Sequence, residues 1–355
     1  MKLLTCSRCQ SVVHFEAEAC PACGAALGFL PEALTIVALD PTGDDADWLW
    51  LAPARYETGE LRFCANRIHH VCNWMLPASG TAAGALCPAC RTNRIIPDLS
   101  RADALDDWRK LEIAKHRLFY TMLRLGISLP DPADPDTPLL EFDLLHPVVG
   151  QPKIRTGHAG GIVTINAAEA SDAIREQVRH QFNEPYRTLL GHFRHEIGHW
   201  VWAQRVQHGG RIEAFRTLFG DERTDYAEAL RRYYAEGPRQ DWPAHFISAY
   251  ASAHPWEDFA ESWAHYLHIM DTLETAFALG IGIHPGNPDT SLPDLDTRDP
   301  YRIGDMHRIL DQWLPLVFAL NSLNRSMGLA DLYPFAIPPA AEAKLAFIHD
   351  LVRAG

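Results

Sequence analysis

The sequence predicts an α+β protein in two parts: an N-terminal region of short loops and strands stapled by cysteines, and a mainly helical domain with a small sheet. Three observations predict it. All eight cysteines lie before residue 91, and six of them form Cys-x-x-Cys pairs. Beyond residue 98, apolar residues recur at helical spacing along most of the chain. Between the helical stretches, one β-branched run, Ile162-Val163-Thr164-Ile165, follows a glycine pair. The expected division is therefore residues 1–97 and 98–355.

Bulk properties narrow the function. The 355 residues, 47% hydrophobic and 22% charged, hold material for one substantial core and a smaller appendage. With 45 acidic against 32 basic side chains the net charge is −13, so no nucleic acid partner is expected. The first residues, Met1-Lys2-Leu3-Leu4-Thr5-Cys6, offer two leucines where a secretory signal needs about 7 to 15 apolar residues. Even Trp313 to Leu320 is flanked by Asp311 and Asn321, so no window reaches the roughly 18 apolar residues of a membrane span. The expectation is a cytoplasmic protein with no membrane partner.

In a reducing compartment, paired cysteines point to metal ligation before disulfides. Cys6-Ser7-Arg8-Cys9 and Cys20-Pro21-Ala22-Cys23 each let two thiolates occupy neighbouring tetrahedral positions, and Val12 to Phe15 between them reads as a short strand. A second set, Cys64, Cys72, Cys87 and Cys90, is less regular, because seven residues separate its first two members. Four thiolates complete each site, leaving His69 and His70 as ordinary core or surface residues. Two structural zinc ions are expected, since a closed four-cysteine site has no position for substrate and its metal supplies folding energy to a region with little core.

The helical half opens with Leu105, Trp108, Leu111, Leu118, Phe119, Met122 and Leu125 on one face of a long amphipathic helix. The run Leu129 to Pro138 is a proline-rich loop. The strand at 162–166 is read in two ways, as a sheet strand whose exposed edge pairs with an extended substrate or as an ordinary buried sheet strand. Arg211 to Tyr234 reads as helices and loops covering one side of a cleft, and Asp305 to Leu323 and Ala340 to Val352 as packing helices.

The segment carrying chemistry is His195-Glu196-Ile197-Gly198-His199 within an apolar helical stretch. Four residues apart, His195 and His199 share a helix face and can bind one zinc, with Glu196 directed at a remaining metal position. The bare pentad is only moderately specific, so a third ligand must lie elsewhere. Downstream, Glu257 and Glu261 stand one turn apart in Trp256 to Tyr266, so that one can bind zinc while the other orients a ligand histidine. His192, His265 and His268 lie near these groups as further partners or packing residues. Arg325 and Asn321 are left outside the site.

These features together resemble bacterial zinc-binding metallopeptidases that carry zinc ribbons ahead of a His-Glu-x-x-His domain of zincin type. The resemblance rests on both cysteine sets, Gly191 to His199, His254 to Glu261 and Leu320 to Gly328, and covers nearly the whole chain. A remoter likeness is to gluzincins of the anthrax lethal factor type. It implies Glu257 as the zinc ligand, Glu261 as its supporting carboxylate and Tyr250, seven residues before Glu257, as a hydrogen-bond donor to the oxyanion. Asp258 departs from that pattern, and a ligand role for it stays open. The resemblance implies one catalytic zinc beside the two structural ones, Glu196 as general base and a peptide or protein as substrate. The competing reading is a peptide- or protein-binding ribbon adaptor whose peptidase-like domain does not cut.

Overall fold

In the computed structural model, residues 1–42, 49–131, 137–148, 150, 153–181, 184, 186–287 and 289–354 are described. Each Cys-x-x-Cys pair of the first ribbon closes a tight turn. The Gln10 amide donates to the Cys6 carbonyl and the Gly24 amide to that of Cys20, both at 2.9 Å, with Gln10 and Gly24 in the left-handed region. The strand expected at Val12 to Phe15 is reduced to a single bridge between Thr5 and Val12. The Asn73 side-chain amide takes the carbonyls of Phe15 and Ala17, and the Phe15 ring turns inward against Phe29 and Tyr120.

After the first ribbon come β1 (Ala26–Leu30), β2 (Thr35–Pro41), β3 (Trp50–Leu51), β4 (Glu60–Phe63) and β5 (Met75–Pro77), an antiparallel sheet in chain order. Leu30, Val37, Leu39, Leu61 and Met75 form its core. The second sheet combines β6 (Asn93–Ile95), β7 (Glu141–Leu145), β8 (Gly157–Ala159) and β9 (Ile162–Asn166) in the order β6-β7-β9-β8. Because β9 is hydrogen-bonded to β7 along its length and to β8 over residues 162–164, it is an interior strand of the sheet, in line with the second of the two readings of 162–166 and against strand addition there. Of the proline-rich loop, residues 132–136 lie outside the described residues.

Helix α1 (Ala104–Arg124) forms where the spacing places it, with Asp106 and Asp107 at its positive end and Arg124 at its negative end. It buries Trp108, Leu111, Leu118, Phe119 and Met122, while Leu105 is exposed. All of these elements belong to one compact unit, residues 3–175; the other comprises residues 176–355 with Met1 and Lys2. Helix α2 (Asp172–Gln181) runs across residue 175.

The second unit is helical: α3 (Leu189–Val201), α4 (Ile212–Phe219), α5 (Tyr226–Glu236), α6 (Trp242–His245), α7 (Pro255–Ala278), α8 (Met306–Ser326) and α9 (Pro339–Arg353). A two-stranded hairpin, β10 (Gly282–Ile283) with β11 (Leu295–Asp296), precedes α8. Helix α7 is its pillar, apolar on several faces and packed against α3, α4, α8 and α9. Its start is specified locally: His254 Nδ1 accepts the Trp256 amide, Pro255 occupies the first turn, and Glu257 and Asp258 follow at the positive end of the helix. No described helix is long and apolar enough to cross a membrane.

Helices α3 and α7 meet closely because of Gly198. A Cβ there would stand 2.9 Å from the Ala260 Cα and 3.3 Å from its carbonyl oxygen, and this backbone cannot swing aside. Gly198→Ala is therefore expected to wedge the two helices apart, lowering stability by about 1 to 3 kcal/mol. An unfolding midpoint unchanged from the wild type would contradict this packing.

Candidate metal centre

Three separate clusters of metal-ligating side chains stand among the described residues, the second of which shares Cys90 with a further group formed with Glu112 and His116. In the first ribbon Cys6 Sγ lies 3.8 Å from Cys23 Sγ, and Cys9 Sγ 3.5 Å from Cys20 Sγ. In the second set Cys72 Sγ lies 3.7 Å from Cys87 Sγ, and all four sulfurs of each set fall within 4.8 Å of one another. These separations far exceed the roughly 2.05 Å of a disulfide. They fit the edges, about 3.8 Å, of a tetrahedron with metal–sulfur bonds of about 2.3 Å. Neither His69 nor His70 joins the second set, and His70 Nδ1 instead pairs with Glu18 at 2.7 Å.

The sequence does not single out His116, yet α1 brings it to this second set. Its Nε2 lies 3.5 Å from Cys72 Sγ and 3.8 Å from Cys90 Sγ. No spacing signature marks a histidine 26 residues beyond the last cysteine on an amphipathic helix.

The third cluster joins His195 and His199 of α3 to Glu257 of α7. The Thr188 hydroxyl caps α3 by accepting the Gly191 amide at 3.0 Å, fixing where the helix begins and hence which face carries the histidines. Glu257 Oε2 lies 2.9 Å from His195 Nε2 and 3.7 Å from His199 Nε2, and the three donor atoms lie within 4.8 Å of one another. Two imidazole nitrogens and one carboxylate oxygen at this spacing fit a zinc ion with bonds of about 2.0 to 2.2 Å and a position left open.

Groups around the donors hold them in place. On its far side, His195 Nδ1 hydrogen-bonds Glu261 Oε1 at 2.7 Å, and Ser248 Oγ donates to Glu261 Oε2 at 2.6 Å. Nδ1 thus serves as the donor to a carboxylate and Nε2 is turned toward Glu257 and His199. The sequence also passes over Tyr226, the first residue of α5, whose hydroxyl donates to Glu257 Oε1. That bond occupies one carboxylate oxygen and leaves Oε2 to face both histidines. Nothing at position 226 flags the role, because it lies 31 residues from its partner in a separate helix.

The electrostatics favour a cation. Burial alone would raise the Glu257 carboxyl, but the His199 and His195 imidazoles and the Tyr226 hydroxyl pull it down to about 2. Burial alone would lower His195, but hydrogen bonds to Glu257 and Glu261 hold it well above the usual histidine value. These carboxylates favour positive charge at the convergence of the donors, the charge a metal ion also provides.

Glu196 is buried on α3, within electrostatic reach of the Tyr226 and Tyr250 hydroxyls. Tyr250 packs its ring 5.9 Å from that of His195, and burial, then the Glu257 charge, raises its hydroxyl well above the usual tyrosine value. Asp258 faces away from the cluster: its Oδ2 lies 2.6 Å from Lys344 Nζ of α9, which also donates to the His245 carbonyl. Adjacent helical residues project about 100° apart, so Asp258 cannot share the direction of Glu257. The ligand role left open for it is thereby closed.

His192, His265 and His268 are absent from the donor cluster. His265 Nδ1 hydrogen-bonds the Tyr333 hydroxyl at 2.6 Å, and His268 Nδ1 pairs with Arg194, which also bridges to Asp271. Asn321 clasps the Tyr333 backbone through both its amide atoms, and Arg325 pairs with Asp331, consistent with leaving both outside the site.

Two cysteine clusters of tetrahedral spacing and a cluster of two histidines and a carboxylate with converging donor atoms define a zinc-binding protein with a ribbon region at its N-terminus. The chain belongs to the family described as "Putative zinc-binding metallo-peptidase", which matches residues 104–351, and a zinc-ribbon domain family matches residues 3–101. Among its relatives are the uncharacterized protein Rv2568c of Mycobacterium tuberculosis and the uncharacterized protein Mb2598c of Mycobacterium bovis. Each is 39% identical over 355 residues, covering 99% of this chain and 95% of the relative. No solved structure matches.

Proposed function

We propose that the chain is a zinc-dependent peptidase that hydrolyses peptide bonds at the His195, His199 and Glu257 site, with Glu196 as general base. The observation that carries this reading is the convergence of those three donor atoms within 4.8 Å, with the Tyr226 and Tyr250 hydroxyls within electrostatic reach of both Glu257 and Glu196.

His195, His199 and Glu257 would hold the zinc, which when bound would polarise a substrate carbonyl and lower the pKa of a water in the site to about 7. The rest is the work of the chain. Glu196 accepts a proton from the attacking water and returns it to the departing amine nitrogen. The Tyr250 hydroxyl donates to the carbonyl oxygen as negative charge gathers on it. Glu261, itself held by Ser248, keeps the His195 ring in one orientation, and Tyr226 restrains Glu257 through Oε1. The two cysteine sets hold structural zinc, giving three ions per chain. The substrate is a peptide or protein met in the cytoplasm.

The test is to incubate the zinc-loaded full-length protein with a mixed peptide library and read new termini by mass spectrometry. Cleavage that disappears on chelation and returns with added zinc supports the reading. Three bound zinc ions with no new termini would overturn it in favour of a peptide-binding protein.

A further inference from the structure

We propose that α5 is the substrate-binding wall of the metal centre: its Tyr226, Tyr233 and Tyr234 rings cover large apolar or aromatic side chains of an extended peptide next to the bond to be cut. This inference rests on the peptidase reading and deepens it by naming the class of substrate.

A closed circuit of ring contacts joins α5 to the donor histidines. The Tyr226 ring meets that of Trp256 with centroids 5.5 Å apart, and Trp256 lies against His199 at 3.8 Å. His199 and His195 stand 5.0 Å apart, His195 and Tyr250 5.9 Å, and Tyr250 returns to Tyr233 at 5.6 Å. One end of α5 therefore leads to His199 and the other to His195, so the helix lies astride the donors. Tyr226 and Tyr233 are two turns apart, which puts them on one face of the helix about 10.5 Å from each other along its axis. An extended chain advances about 3.3 Å per residue, so about three substrate residues span these two rings.

The packing of α5 leaves its rings available to a ligand. The helix buries only Ala229, so its tyrosines are not its core. Tyr226 is 37% exposed, Tyr234 59%, and Tyr233 is half-buried. Tyr234 packs 5.6 Å from Tyr233 and stands within electrostatic reach of the Tyr226 and Tyr250 hydroxyls, which gathers the exposed ring toward the same centre. Water-exposed ring faces gain from apolar and aromatic groups laid against them, and gain little from small polar ones. Tyrosine also gives up little conformational freedom in making such contacts, because it has two side-chain torsions. The wall selects by ring contact rather than by charge.

Binding, read apart from cleavage, tests this. Zinc-loaded, full-length Glu196→Gln protein is titrated into two fluorescein-labelled hexapeptides, one with two central phenylalanines between alanines and one with two central serines. The phenylalanine peptide is expected to bind about 10- to 100-fold more tightly. Adding Tyr234→Ala, at an exposed position, should weaken the phenylalanine peptide about 10-fold and leave the serine peptide unchanged. Tyr234→Phe keeps the ring and should bind as the parent does. The wild type supplies a readout that needs no variant: its cut sites in a mixed library should carry a large apolar or aromatic residue on at least one side. Equal binding of the two peptides, no binding of either at millimolar concentration, or Tyr234→Ala without effect overturns the proposal, as do cut sites with no such preference. Ring-dependent binding without cleavage by the wild type upholds the wall as a peptide site and overturns the peptidase reading alone.

Discussion

A Glu196→Gln protein is expected to keep all of its zinc and to cleave peptides about 10²- to 10⁴-fold more slowly than the wild type. The amide has nearly the size of the carboxylate, so the packing of α3 against α7 is preserved. His195, His199 and Glu257, the three groups whose donor atoms converge, are untouched. What is lost is the ability to take a proton from the attacking water. The contrasting variant is Glu257→Gln, which weakens the donor set itself and is expected to lose zinc along with cleavage. Metal content by mass spectrometry and cleavage rate, measured on the same preparations, separate the two cases. A Glu196→Gln protein that cleaves at the wild-type rate would mean that another group removes the proton.

The two cysteine sets and the His-Glu-x-x-His pentad were legible because metal chemistry demands particular residues at short spacings, and such spacings survive any arrangement of the rest of the chain. Glu257 and Glu261 were legible as a one-turn pair on a helix. Their partners were not. Tyr226 and His116 reach their sites from separate helices, and nothing local distinguishes a buried tyrosine or histidine that packs from one that holds a ligand.

The antiparallel sheet that runs from behind the first cysteine set into the second is not legible in the sequence. Leu27-Gly28-Phe29-Leu30 and Ile36-Val37-Ala38-Leu39 are apolar throughout, so the alternation that marks a half-buried strand is absent. The exclusion of β9 as an exposed edge depends on two partners, β7 and β8, whose register is a tertiary fact. Asp258 is the finest case. Its residue type permits metal binding, and only the position of Lys344, 86 residues away, shows where its charge is spent.

That pair yields the second large effect. Lys344→Met should destabilise the helical unit by about 3 to 5 kcal/mol, because it leaves a buried carboxylate without its cation. For a unit of this size each kcal/mol shifts the unfolding midpoint by roughly 2 to 4 °C, so a fall of about 6 to 20 °C is expected. Asp258 is fully buried and Lys344 is 4% exposed, so water cannot take over the solvation of the stranded charge. Burial already pushes the Asp258 carboxyl up to about 7, with the Lys344 charge opposing that rise. Removing the lysine should raise it further, and the variant should adapt by protonating Asp258 near neutral pH. For this carboxyl the sign is opposite to that of a salt-bridged carboxylate with a depressed value: the Lys344→Met defect should deepen as pH rises and ease as pH falls toward the unfolded value. The double variant Asp258→Leu, Lys344→Met should regain much of the lost stability, since a buried ion pair can be replaced by apolar groups at little net cost. Zinc content decides whether the pair is purely structural. With Asp258 turned toward α9, the folded double variant should bind as much zinc as the wild type, whereas the loss of one ion would mean that Asp258 serves the metal after all.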